Sequence, residues 1–209
     1  GPDDPGRKSR CRRSKASGYA LQLDTRVTVP IEGPPPFVFN RTTLNAKMWL
    51  AESITTATPE TRAWYNEAGV GLKVMRTTQT TVSAMGIVSN DSKGVRKAMV
   101  GMQYFRTSPL ATIAVPVARL EKTLNGPVSI AVAANPLFRL GRQGTMFRLA
   151  ISPDVFVHKT SDKPLSWTAG AGLDWFTRKG KADRIEIAAL KTSLNQWQVR
   201  GRYVLNFSF

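Results

Sequence analysis

The sequence predicts an all-β sandwich fronted by a basic N-terminal arm, and three observations point there. Apolar and polar residues alternate in LQLDTRVTV: Leu21, Leu23, Val27 and Val29 share one face, and Gln22, Asp24, Arg26 and Thr28 share the other. That is the period of a half-buried strand. Short apolar runs bounded by Gly, Pro or Asn recur along the chain, among them AMVGMQYF, LATIAVPV and PVSIAVAA, and read as further strands. Last, RKSRCRRSK at residues 7–15 is a run of cations with no large apolar residue in it, so it buries too little surface to order itself.

Residues 1–18 are therefore assigned to the arm and 19–209 to the folded domain. Pro30 and the run Gly33–Pro36 end the first strand, because proline cannot continue a ladder. FVFNRTTLNAKMWLAESI resumes strand-like character. TPETRAWYNEAG, residues 58–69, predicts a short helix: Thr58 caps it, Pro59 suits the first helical position, Glu60 answers the dipole and Gly69 stops it. VARLEKTLNG predicts a second, ending at Gly126. The segments GLKVMRTTQTTVSAMGIV, FRLAISPDVFVHK, LSWTAGAGLDWF, RIEIAAL and QVRGRYVLNFSF supply the remaining strands. About eight to ten short strands with turns between them make a sandwich or a barrel, with short helices in the loops.

Thirty Lys and Arg face fourteen Asp and Glu, a net charge of +16, and such a surplus favours polyanionic partners. A single cysteine, Cys11, and a single histidine, His158, exclude an internal disulfide framework and a zinc site made of Cys and His alone. Alternation in VFVHK is read as turning His158 away from the Phe156 face. With no Ser, Cys or Asp paired to it, His158 reads as a solvated strand histidine rather than a general base. Cys11 on the arm lacks the rigid support a nucleophile needs. GAGL at 170–173 lacks the Lys-Ser/Thr ending of a phosphate loop. Asp154, Asp162, Asp174 and Asp183 are scattered singly and read as surface acids. No catalytic residue, metal or cofactor is expected, and the protein is not expected to be an enzyme.

The candidate binding residues are cations. Arg7, Lys8, Arg10, Arg12, Arg13 and Lys15 are expected to hold single-stranded RNA by charge, without reading its sequence. Arg139, Arg142, Arg148, Arg200 and Arg202 form a secondary basic surface, with Arg200 and Arg202 on one face of the last strand.

This layout, with RKSRCRRSK as an internal arm, VPIEGPPP as a passage and then strands with short helices, resembles coat proteins of small non-enveloped plus-strand RNA plant viruses of the ourmiavirus type. The resemblance implies a jelly-roll shell domain, self-assembly into a large homo-oligomer and packaging of RNA by the arm. It also implies a place in the virion and the host cytoplasm, with no membrane. A second reading stands beside it. In VRGRYVLNFSF, Val199, Tyr203, Leu205, Phe207 and Phe209 share one face, which resembles the closing strand of a bacterial outer-membrane β-barrel. The charge of +16, the supply of only five Trp and four Tyr for two aromatic girdles, and the two helix-like segments rank that reading second.

Overall fold

The computed structural model describes residues 18–140, 149–177 and 183–209. Thirteen strands follow one another: β1 (Ala20–Pro30), β2 (Phe37–Asn45), β3 (Trp49–Thr58), β4 (Ala63–Arg76), β5 (Thr80–Asp91), β6 (Arg96–Thr107), β7 (Ala111–Thr123), β8 (Val128–Ala134), β9 (Leu137–Leu140), β10 (Leu149–Thr160), β11 (Ser166–Phe176), β12 (Arg184–Thr192) and β13 (Trp197–Ser208). Sequence neighbours pair antiparallel, and the sheet closes where β1 meets β13. β8 and β9 are two halves of one wall position between β7 and β10, so the barrel is twelve strands round.

A closed barrel replaces the expected jelly-roll sandwich, and no helix occurs among the described residues. The segment expected to form a helix at 58–69 is instead a turn, with Arg62 at φ 55°, followed by the start of β4. From Ala63 onward the chain alternates: Tyr65 and Glu67 point inward while Trp64, Asn66 and Ala68 point outward. Pairing along both edges outweighs helix signals worth only tenths of a kcal/mol per residue. The second expected helix is likewise the end of β7 and its turn.

The two faces are the reverse of a sandwich. Val70, Leu72, Val100 and Ile187 are 63–68% exposed on the outer face, whereas Asp24, Glu52, Glu67, Glu121, Asp174 and Glu186 are buried on the inner one. All five tryptophans stand on the outer face, at two levels. We call the end where β1 begins and β13 finishes the first rim. Trp49 and Trp175 lie there, and Trp64, Trp167 and Trp197 lie at the opposite, second rim. Tyr19 meets Trp49 edge-on with ring centres 6.4 Å apart, and Lys191 Nζ sits 5.6 Å from the centre of the Trp197 ring. An apolar wall between two aromatic belts is the pattern of a barrel that spans lipid. The undivided strands run from 9 to 14 residues, enough for the roughly 9–11 that a tilted spanning strand needs.

Apart from a register shift between β4 and β5 at Lys73–Met75, the ladder is interrupted in one region. Pro136 separates β8 from β9, Pro116 of β7 lies at a register shift against β6, and Pro153 of β10 faces the gap. Proline has no N–H to give to a ladder, so the absence of donors is concentrated where three strands are already unpaired. Asn135 fills the gap, donating its backbone N–H to the Ala114 carbonyl at 2.9 Å and its Nδ2 to the Pro153 carbonyl at 3.1 Å. Elsewhere the inner face is packed tightly. Leu50, Met85, Ile87 and Met99 form an apolar cluster inside. It lies against Gly69 and Gly71, where a Cβ would come within 2.9 Å of Ile87 Cγ1 and 2.2 Å of Met85 Sδ.

Candidate functional site in the barrel lumen

Period-two spacing decides which charges meet. Asp24 and Arg26, Arg119 and Glu121, and Arg200 and Arg202 are each two residues apart, so each pair shares the inner face. Toward the second rim, Arg119 donates to Glu67 at 2.7 and 2.9 Å and to Glu121 at 2.8 Å. Lys97 also reaches Glu121, at 2.8 Å. His158 Nε2 lies 3.5 Å from Glu121 Oε2, and its ring stacks on Phe156 with centres 6.4 Å apart. The two residues therefore share the inner face, contrary to the expectation, since residues two apart on a strand point the same way.

A second network spans β1 and β10 to β13. Asp24 accepts from Arg26 at 2.8 Å and from Arg202 at 2.8 and 2.9 Å. Glu186 accepts from Arg200 at 3.0 Å, Arg202 at 3.2 Å and Ser152 Oγ at 3.3 Å. Arg200 also pairs with Asp154 at 2.6 Å, and Arg184 with Asp174 at 2.8 Å. On the facing wall Glu52 accepts from Arg41 and, at 3.1 Å, from Gln103. Asp154 and Asp174 are thus lumen acids rather than surface ones. Asp183 is also buried, accepting from the Asn206 backbone N–H at 2.6 Å.

Between these networks, in the first-rim half, lies a cavity of about 400 Å³. Arg26, Arg41, Lys73, Arg139, Arg184 and Arg202 line it among Asn, Gln and Thr side chains, and no acidic residue does among those described. The carboxylates that answer these arginines, Asp24, Glu52, Asp174 and Glu186, are buried behind them. Two of the six cations have no carboxylate partner among the described residues. Lys73 donates to the Ala46 carbonyl, and Arg139 donates to the Ser108 carbonyl at 3.2 Å and to Thr112 Oγ1 at 3.3 Å. The cavity therefore presents excess positive charge and spare N–H donors, arranged for anions.

Of the cations flagged in the sequence, Arg139 and Arg202 line this cavity and Arg200 lies behind it. Arg142, Arg148 and the six arm cations Arg7, Lys8, Arg10, Arg12, Arg13 and Lys15 lie outside the described residues. Arg26, Arg41, Lys73 and Arg184 were missed. For Arg26, Lys73 and Arg184 the signal was present, because each occupies the polar phase of an alternating stretch, as Arg26 does in LQLDTRVTV; Arg41 shares its face with Phe37 and Phe39 and gave none.

No family model and no curated protein matches the sequence. Among solved structures the chain is similar to the KdgM porin, with TM-score 0.61 and 9% identity over 90% of this chain and 99% of that one. It is also similar to the NanC porin, with TM-score 0.60 and 11% identity over 87% and 98% of the two chains. A third similar structure is the outer-membrane protein Omp33 of Acinetobacter baumannii, with TM-score 0.51 and 8% identity over 90% and 98%. These likenesses overturn the coat-protein reading and, with it, the shell, the packaged RNA, the virion and host cytoplasm, and the exclusion of a membrane. The physical reasons agree. The strand edges that shell neighbours would cover already pair with each other, and Arg139, Arg200 and Arg202 face the lumen instead of an open RNA-binding surface. The fold is the closed antiparallel barrel of outer-membrane porins.

Proposed function

We propose that the protein is a porin-like barrel of the bacterial outer membrane, without enzymatic activity, that admits small anionic solutes through its first-rim cavity. The observation that carries this reading is the lining of that cavity: six cations and no carboxylate. Low-dielectric walls focus such a field and raise the local concentration of counter-ions. The outward apolar wall and its two tryptophan belts support the membrane setting. The KdgM porin has been solved in complex with disordered oligogalacturonate, a polyanion, which supports an anionic solute here.

The test is conductance in a planar bilayer under a KCl gradient. The reversal potential should move toward the chloride equilibrium value. Lys73→Gln with Arg139→Gln should bring it back toward zero, because those two cations can be neutralised without leaving a buried carboxylate unpaired. Cation preference, or inserted barrels that pass no ions, would overturn the reading.

A further inference from the structure

The outer wall carries a groove of about 870 Å³ in the second-rim half of β3 to β7, within the roughly 300–1,000 Å³ typical of ligand sites. Its floor follows one cross-strand row. Ser53 pairs with Ala68, Ala68 with Val88, Val88 with Ala98, and Ala98 with Lys122. One step toward the rim, Asn66 pairs with Asn90 and Asn90 with Arg96. The groove thus has a shallow apolar floor, amide shoulders and two cations, Lys122 at the end of the floor row and Arg96 one step toward the rim. The Arg96 guanidinium has no hydrogen bond or ion pair among the described residues, and Lys122 gives one of its three protons to the Gly126 carbonyl at 2.6 Å. No acidic side chain points outward from any described strand in this part of the wall.

We propose that this groove seats one anionic phospholipid of the surrounding membrane. Its phosphate lies between Arg96 and Lys122, and one acyl chain runs over Ala68, Val88 and Ala98. The level fits: Arg96 opens β6 and Lys122 nearly ends β7, at the same rim as Trp64, where headgroups meet an aromatic belt. The chemistry fits as well. Guanidinium binds phosphate oxygens bidentately and ammonium adds a point charge, while the alanines admit a chain where bulkier neighbours such as Val70 and Val100 fill the wall. This site rests on the membrane reading above but is separate from the lumen.

The experiment refolds the protein into vesicles of phosphatidylcholine containing a minor fraction of phosphatidylglycerol. Gently extracted barrels are then examined by native mass spectrometry. One phosphatidylglycerol should be retained per barrel in preference to phosphatidylcholine. Arg96→Gln with Lys122→Gln should lower that retention by about tenfold or more, and Ala98→Phe should do so while leaving both cations in place. Lys159→Gln with Lys191→Gln, which removes outward cations elsewhere on the same rim, should leave retention unchanged. Equal loss in that control would reveal diffuse attraction by the rim and overturn the site, as would full retention in the groove variants. A chain that does not insert at all, judged by protease access to the strands, would sink the membrane reading and this proposal with it.

Discussion

At Asn135 a single residue serves three parts of the wall: its backbone N–H reaches Ala114, its Nδ2 reaches the Pro153 carbonyl, and its Oδ1 accepts from Arg202 Nη1 at 2.9 Å. Asn135→Ala would leave a buried carbonyl and a guanidinium N–H unanswered, at a cost of about 1–3 kcal/mol. The urea-unfolding midpoint in lipid vesicles, followed by tryptophan fluorescence, should fall accordingly. An unchanged midpoint would mean that the break is held by something other than this amide. Such roles differ in how far sequence reveals them. That Arg200 and Arg202 share a face follows from their spacing alone. The work of Asn135 does not, because its partners lie on β7, β10 and β13, and only the closed wall brings them together.

The strands raise a different issue, since period two separates two faces without saying which one meets water. In β13 the grouping of Val199, Tyr203, Leu205 and Phe207 was legible, and so was the polar set opposite. A soluble sandwich would bury that apolar set, whereas the closing strand of an outer-membrane barrel, the second reading it suggested, turns it outward, as β13 does. The misread helix at 58–69 has a related cause. Thr58, Pro59 and Glu60 are good first-turn residues, but they also suit the tight turn that launches β4, and local signals do not register the partners waiting on both sides. A test at this scale places a charge on the middle of β12. Ile187→Lys, on the outer face opposite Leu173 and Gly201, should cost about 2–4 kcal/mol at the bilayer midplane, while Ile187→Leu should cost little. Stability of the folded barrel in vesicles would be compared across the two. If both insert and resist denaturant as the unaltered chain does, β12 does not face lipid there.

For the whole molecule, the large positive charge was read as a demand for packaged nucleic acid. The barrel gives part of its arginine content a different use, turning Arg26, Arg41, Arg119, Arg184, Arg200 and Arg202 inward against buried acids, where they add nothing to the surplus. Five tryptophans proved enough for two belts because every one of them is at a rim. An outward wall this apolar is a large exposed patch in water. Circular dichroism should therefore report β-dominated structure only with detergent or lipid present, and the chain should aggregate without them; a monodisperse, folded protein in plain buffer would contradict the barrel. The pairing of Ala20 with Ser208 has one more consequence, for the order of events in folding. β1 can find β2 as soon as both exist, but its other edge has no partner until the last strand arrives. Bringing β1 to β13 closes the longest loop of any strand pair in the wall and carries the largest closure entropy, so the seam is expected to form slowly. Until it forms, two rows of backbone donors and acceptors stand open, and in hydrocarbon each orphaned group costs several kcal/mol. On the membrane reading a partly zipped wall cannot rest in the bilayer core, so the sheet would enter together with its closure, all strands at once, or wait at the surface.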